Sequence, residues 1–167
     1  MLALCETETQ AAADNFRQAM RHLASGVSII TAGTGADRSG FTATSVVSLS
    51  VYPPRLLVSI DERSATWPLI ELNGGFTANL LSSGQKHLAE VFAGRTGLHG
   101  AERFVGSEWR EYLYAGFALE GALATVHCRL EEVIERHGHR LVIGEVLGSR
   151  TLVAGALVYI GGRFTAL

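Results

Sequence analysis

Apolar and polar residues alternate along GFTATSVVSLSV, positions 40–51. Phe41, Ala43, Val47, Leu49 and Val51 are apolar, while Thr42, Thr44, Ser48 and Ser50 between them are polar. A period of two marks a half-buried strand. The phase inverts at Ser45 and Val46, which predicts a bulge or bend there. Upstream, Phe16, Met20 and Leu23 recur at i, i+4 and i+7, and Gly26 follows, so Asp14–Ser25 reads as an amphipathic helix closed by a glycine. VSIITA, 27–32, reads as a strand, and GTGADRSG has the glycines and aspartate of a hairpin connection.

After Pro53-Pro54, RLLVSI predicts another strand. Thr66 is placed to cap a short helix with Pro68 in its first turn, ending at Gly74-Gly75. FTANLLS reads as a strand and GQKHLAEVFAG as a helix, with Leu88, Val91 and Phe92 on one side. Arg95 to Trp109 reads as a long loop, and loops of that length are often functional. From Ala122 to Glu131 the alternation returns; HGH at 137–139 has the look of a hairpin turn, and LVIGEVLGS and ALVYIGGRF supply further strands. About seven strands and about three short helices, without a βαβ rhythm or a repeat, predict a mainly β fold: an antiparallel barrel with helices at its rim.

Composition narrows the picture. With 167 residues the chain fits one domain, read as residues 14–167 behind a mobile segment 1–13. It is 47% hydrophobic with a net charge of −2, and no basic run is available to neutralise a row of phosphates, so nucleic acid is not expected as a partner. Cys5 and Cys128 suggest no disulfide framework. The start lacks a signal-peptide pattern, and no apolar run approaches the ~20 residues that span a bilayer, so a cytoplasmic protein is expected. GxSxG, HExxH and GxxxxGK[ST] are absent from the sequence. His137 and His139 are too few to specify a metal, and His127 and Cys128 are adjacent on a strand and so face opposite ways; no metal is expected.

Two hydroxyl groups remain. The Thr42–Ser50 row has an ordinary explanation as the wet face of a strand. The second, Ser64 and Thr66, precedes a helix N-terminus, where free N–H groups suit an anion; Thr66 as a simple N-cap is the alternative. Arg103 in the long loop would add charge to the same anion.

Taken together, FRQAMRHLASGVSIITA, GFTATSVVSLSVYPPRLLVSI, SATW, FTANLLSSGQKHLAEVFA, ERF, HGHRLVIGEV and LVYIGGRF resemble the short-chain flavin reductases that serve two-component flavin-dependent monooxygenases. The resemblance runs from about Phe16 to Phe164 and implies an FMN-binding split β-barrel with Greek-key strands, acting as a homodimer. It implies FMN, with FAD as an alternative, and NADH or NADPH as co-substrate. By the same resemblance Thr42, Ala43, Thr44 and Ser45 would contact the flavin, and Val58, Ser59 and Ile60 would run along its ring. Ser64, Ala65 and Thr66 would sit at its phosphate, and Asn79, Arg103 and Phe104 would complete the site. His139 would bind and orient the nicotinamide, together with Tyr159, Gly161 and Gly162.

Two departures stand out. The family's Gly-Asp-His turn is His137-Gly138-His139 here, without its acidic residue, and the proline that often opens the last strand is Ala156. The implied reaction is hydride transfer from NAD(P)H to flavin, with reduced flavin passed to a partner monooxygenase. Its alternatives are a flavin-binding barrel without nicotinamide turnover and a flavoenzyme that reduces another bound substrate.

Overall fold

The computed structural model describes residues 2–112 and 116–167, with side chains from residue 9 onward. Helix α1 (Leu2–Met20) leads through the short β1 (Ser25–Gly26) into the hairpin of β2 (Ser28–Thr34) and β3 (Asp37–Ala43). The chain then bends at Thr44-Ser45 into β4 (Val46–Val51) and returns in β5 (Pro54–Asp61). Next come α2 (Trp67–Asn73), β6 (Gly75–Leu80) and α3 (Lys86–Phe92), and a 3-10 turn at Gly100–Phe104. A small hairpin, β7 (Trp109–Tyr112) and β8 (Gly116–Leu119), precedes the long hairpin of β9 (Ala124–Arg136) and β10 (His139–Thr151). Strands β11 (Leu157–Ile160) and β12 (Arg163–Ala166) end the chain.

One antiparallel sheet runs β3-β2-β6-β9-β10-β5-β4, and β1-β11-β12 and β7-β8 form two smaller ones. Sequence neighbours β3 and β4 are thus the two edges of the large sheet. Among the described residues the ladder does not close between them, so the barrel is split. The bend expected at Ser45-Val46 is where the chain leaves the β2 partner, Ala43 pairing with Ser28, and joins β5, Val46 pairing with Val58.

Other expectations shift. The first helix spans Leu2–Met20 rather than Asp14–Ser25, so residues 2–13 lie within it, and Gly26 belongs to β1 instead of closing it. Phe16, Met20 and Leu23 are exposed, which leaves the apolar stripe without a partner in the described chain. In β4 the expected inward residues Val47, Leu49 and Val51 are 52%, 47% and 65% exposed. The region read as a loop up to Trp109 contains the 3-10 turn, and the β7–β8 hairpin beyond it was not anticipated, because strands of four residues carry little periodic signal.

Both faces of the large sheet are covered. In β2, Ile29 joins a cluster with Phe92, Phe104, Phe117 and Leu157, whereas Ile30 joins Val58, Ile60, Trp67, Phe76 and Val142 on the other face. The ring of Phe104 stands 5.1 Å from Phe92, 4.9 Å from Trp109 and 5.5 Å from Phe117, and Arg38 lies over the Phe104 and Phe117 rings. Each aromatic pair contributes about 0.5–1.5 kcal/mol beyond its buried area.

Polar side chains bridge the sheet to β8. Thr31 Oγ1 donates to the Phe117 carbonyl at 2.7 Å and accepts from the Phe117 N–H at 3.0 Å. Asn79 Nδ2 donates to the Ile29 and Phe117 carbonyls at 3.1 and 3.0 Å, and its Oδ1 accepts from the Leu119 N–H at 2.8 Å. Gly116 makes this approach possible: at φ 83° a Cβ there would sit 2.5 Å from the Thr31 carbonyl oxygen. Nearby, burial lowers the pKa of His127, whose ring stacks on Tyr112 at 3.6 Å and shares a 3.0 Å hydrogen bond with Thr77.

Asn79→Leu takes the acceptor from the buried Leu119 N–H and a donor from the Ile29 carbonyl, while the Phe117 carbonyl keeps Thr31; each group left unpaired costs about 1–3 kcal/mol. The expected outcome is a melting temperature lowered by about 4 °C or more, read by circular dichroism; an unchanged value would count against the bridging role.

Candidate functional site

Where β3, the β5–α2 turn, the end of α3 and the 3-10 turn meet, they enclose a cleft of about 480 Å³. Ser39, Gly40 and Phe41 form one wall, Asp61 and Arg63–Thr66 a second, and Phe92–Gly94 with Arg103 the third. Gly40 is required by packing: a Cβ would come within 2.9 Å of the Phe92 ring and 2.7 Å of the Ile30 carbonyl oxygen.

Thr66 is almost fully buried, and its hydroxyl shares a 3.0 Å hydrogen bond with Ser39 rather than capping α2. Thr66 still occupies the N-cap position of α2, its carbonyl accepting from the Ile70 N–H. The Thr66 N–H donates to Ser64 Oγ at 3.3 Å, which folds the turn tightly. Arg103 donates to the carbonyl oxygens of Leu98 (2.9 Å), Gly40 (3.0 Å) and Phe92 (3.5 Å). Among the described residues it makes no ion pair, so its charge is held at the cleft by carbonyl dipoles alone. Arg63 grips both oxygens of Asp61, Nε at 3.0 Å and Nη2 at 2.8 Å. Those side-chain bonds, with the Arg63 N–H, hold the Asp61 carboxyl well below the usual carboxylate range. The cleft thus brings together two guanidinium groups, one of them paired with a carboxylate, and three hydroxyls.

The structure brings Ser64, Ala65, Thr66 and Arg103 together in this cleft. Thr42, Ala43, Thr44 and Ser45 follow Phe41 along the same chain run: the Thr42 hydroxyl donates to the Ala89 carbonyl at 2.7 Å, Ser45 donates to the Ser59 carbonyl at 3.0 Å, Ala43 is buried and Thr44 is exposed. Val58 and Ile60 place their side chains in the core, leaving Ser59 as the half-buried member of that trio. Asn79 and Phe104 are interior, bridging to β8 and packing on aromatic rings, and neither lines the cleft. His139 is exposed at the start of β10, directly across the ladder from Asp61. Tyr159, Gly161 and Gly162 lie apart in and beside β11, where Tyr159 packs on Phe164.

Ser39, Gly40, Arg63 and Gly94 were not anticipated. Arg63 carried a signal, since a basic residue inside the turn DERSAT precedes the two hydroxyls, whereas Ser39 reaches the site only through the register of the β2–β3 hairpin.

A split barrel with a polar cleft between β3 and the β5–α2 turn defines the class of structure. The family described as "Flavin reductase like domain" matches residues 20–167. An FMN reductase (NADH) RutF of Stutzerimonas stutzeri is 35% identical over 99% of this chain and 97% of its own length. The 4-hydroxyphenylacetate 3-monooxygenase reductase component of Pseudomonas aeruginosa is 37% identical over 91% of this chain and 90% of its own. Among solved structures, the Streptomyces globisporus NADH:FAD oxidoreductase SgcE6, in complex with NAD and FAD fragments, superposes with a TM-score of 0.82 at 25% identity, covering 91% of this chain and 90% of that one. The chain belongs to the flavin reductase like domain family.

Replacing Arg103 by Gln removes the cation at the cleft. The affinity for a phosphate monoester such as phenyl phosphate should fall by about tenfold or more, read by thermal-shift titration; an unchanged affinity would remove Arg103 from the anion site.

Proposed function

We propose that this protein is an NAD(P)H-dependent flavin reductase that binds FMN by its phosphate in the cleft and passes reduced flavin to a separate monooxygenase. The observation that carries this reading is Arg103, bonded among the described residues only to carbonyl oxygens, in one cleft with the hydroxyls of Ser39, Ser64 and Thr66. It is supported by a relative named as an NADH-dependent FMN reductase and by one named as a monooxygenase reductase component.

When bound, the flavin would supply the redox chemistry, taking up a hydride from the nicotinamide. The chain's own work is to bind and orient. Arg103 and the hydroxyls hold the phosphate, and the Thr44-Ser45 bend offers backbone and hydroxyl groups toward the ring. His139 orients the nicotinamide; Tyr159, Gly161 and Gly162, which lie apart from it in and beside β11, are further nicotinamide contacts only by the family resemblance. No acid or base pair is needed for such a transfer. The reading includes a cytoplasmic location; no described helix is long and apolar enough to cross a membrane.

A homodimer is part of the same reading. Val47, Leu49 and Val51 are exposed apolar residues on edge strand β4, around the register shift between Ser48 and Ser50, and an unpaired apolar edge strand is a natural docking site for a second copy.

Mixing the protein anaerobically with FMN and NADH or NADPH should bleach the flavin band faster than free flavin alone; no acceleration with either nucleotide would overturn the reductase assignment. Thr66→Ala should raise the FMN Kd by roughly 3- to 10-fold while leaving hydride transfer at saturating flavin nearly unchanged; the reverse pattern would take Thr66 out of the phosphate site. Leu49→Asp should shift the protein from dimer to monomer in sedimentation velocity; an unshifted dimer would place the interface elsewhere.

A further inference from the structure

The turn that carries Arg63, Ser64 and Thr66 does not stand alone. Its Glu62 N–H donates to the Gly138 carbonyl at 3.0 Å, and Arg140 Nη1 donates to the Glu62 carbonyl, also at 3.0 Å. Both partners belong to the tip of the β9–β10 hairpin, a two-residue turn in which His137 and Gly138 both have positive φ, 49° and 76°. Gly138 accommodates that conformation without strain, so this tip is built for a tight reversal, with no acidic side chain in it.

Arg140 closes the contact. Its Nε donates to Glu135 Oε1 at 3.0 Å, and its guanidinium lies 5.0 Å from the centre of the Trp67 ring, the first residue of α2. Three groups on three elements, Glu135 of β9, Glu62 of the turn and Trp67 of α2, are therefore held by one side chain, which is only 19% exposed. The ladder places Arg140 opposite Ile60 and His139 opposite Asp61. Residues paired across a ladder share a face, so Arg140 clamps one face while His139 shares the other with Asp61, the carboxylate that grips Arg63.

Resting on the functional reading above, we infer that Arg140 is a positioning residue that locks the phosphate-binding turn, residues 61–66, to the hairpin bearing His139. The phosphate-side and nicotinamide-side groups are then set by one contact, and loosening it disturbs both ligands at once. His139→Ala, by contrast, disturbs the nicotinamide alone.

The test compares wild type, Arg140→Met, Arg140→Lys and His139→Ala. FMN Kd is read by fluorescence quenching, NADH KM and kcat at saturating FMN, and melting temperature without flavin. In Arg140→Met the FMN Kd and the NADH KM should both rise by about fivefold or more, with kcat at saturation within about twofold of wild type. Arg140→Lys, which keeps one donor for the Glu62 carbonyl but loses the fork to Glu135 and the flat stack on Trp67, should fall between. His139→Ala should raise the NADH KM only. A rise in one constant alone for Arg140→Met, or a lowered melting temperature with both constants unchanged, would overturn the inference; should Arg140→Met fail to fold, the same criteria apply to Arg140→Lys. A wild-type protein that neither binds FMN nor oxidises NADH would overturn the functional reading and this inference with it, whereas an active wild type with uncoupled variants would overturn only the inference.

Discussion

The attachment of β8 to the large sheet by side chains rather than by a backbone ladder is the constraint on which the site-bearing end depends. Thr31 and Asn79, buried on β2 and β6, satisfy the backbone of Phe117 and Leu119 on the small hairpin. Buried polar groups are tolerated in a core only when their partners are present. Here they hold Phe117 against Phe104, and Phe104 against Phe92 and Trp109. Arg103 is the neighbour of Phe104 in the chain, so the aromatic cluster also decides where that guanidinium meets the cleft.

From the opposite side the cleft is shaped by side-chain and backbone hydrogen bonds together. The β5–α2 turn is folded on itself by Asp61, Arg63, Ser64 and Thr66, and docked on the β9–β10 tip through Glu62. Ser39 reaches Thr66 across it because β3 is carried past the turn by its pairing with β2. The cleft is thus a junction of the β2–β3 hairpin, the β5–α2 turn, the end of α3 and the 3-10 turn.

The legible parts of this arrangement were those with local causes. Alternation placed β9 and the run that forms β3 and β4, and the phase slip at Ser45-Val46 marked where the chain changes sheet partner. Ser64, Thr66 and Arg103 were read as an anion site, and the structure gathers them in one cleft. Asn79 shows the limit. An asparagine in an apolar strand is visible in the sequence, but its three hydrogen bonds go to strands β2 and β8, far away in the chain, and only the packed sheet shows them. Val47, Leu49 and Val51 show another: alternation identifies an apolar face without saying whether this chain covers it.

By itself the sequence determined most of the elements, the bend in the hydroxyl-rich strand, the hydroxyls of Ser64 and Thr66 ahead of a short helix and the resemblance to a family. These depend on backbone preferences and periodicity over a few residues. Only the tertiary structure decided that the Thr66 hydroxyl bonds to Ser39 rather than capping its helix, that Arg103 rests on carbonyl oxygens, and that Arg140 joins the phosphate turn to the His139 hairpin. Each of these contacts links residues separated by tens of positions, and strand register, a property of the assembled sheet, sets which of them meet.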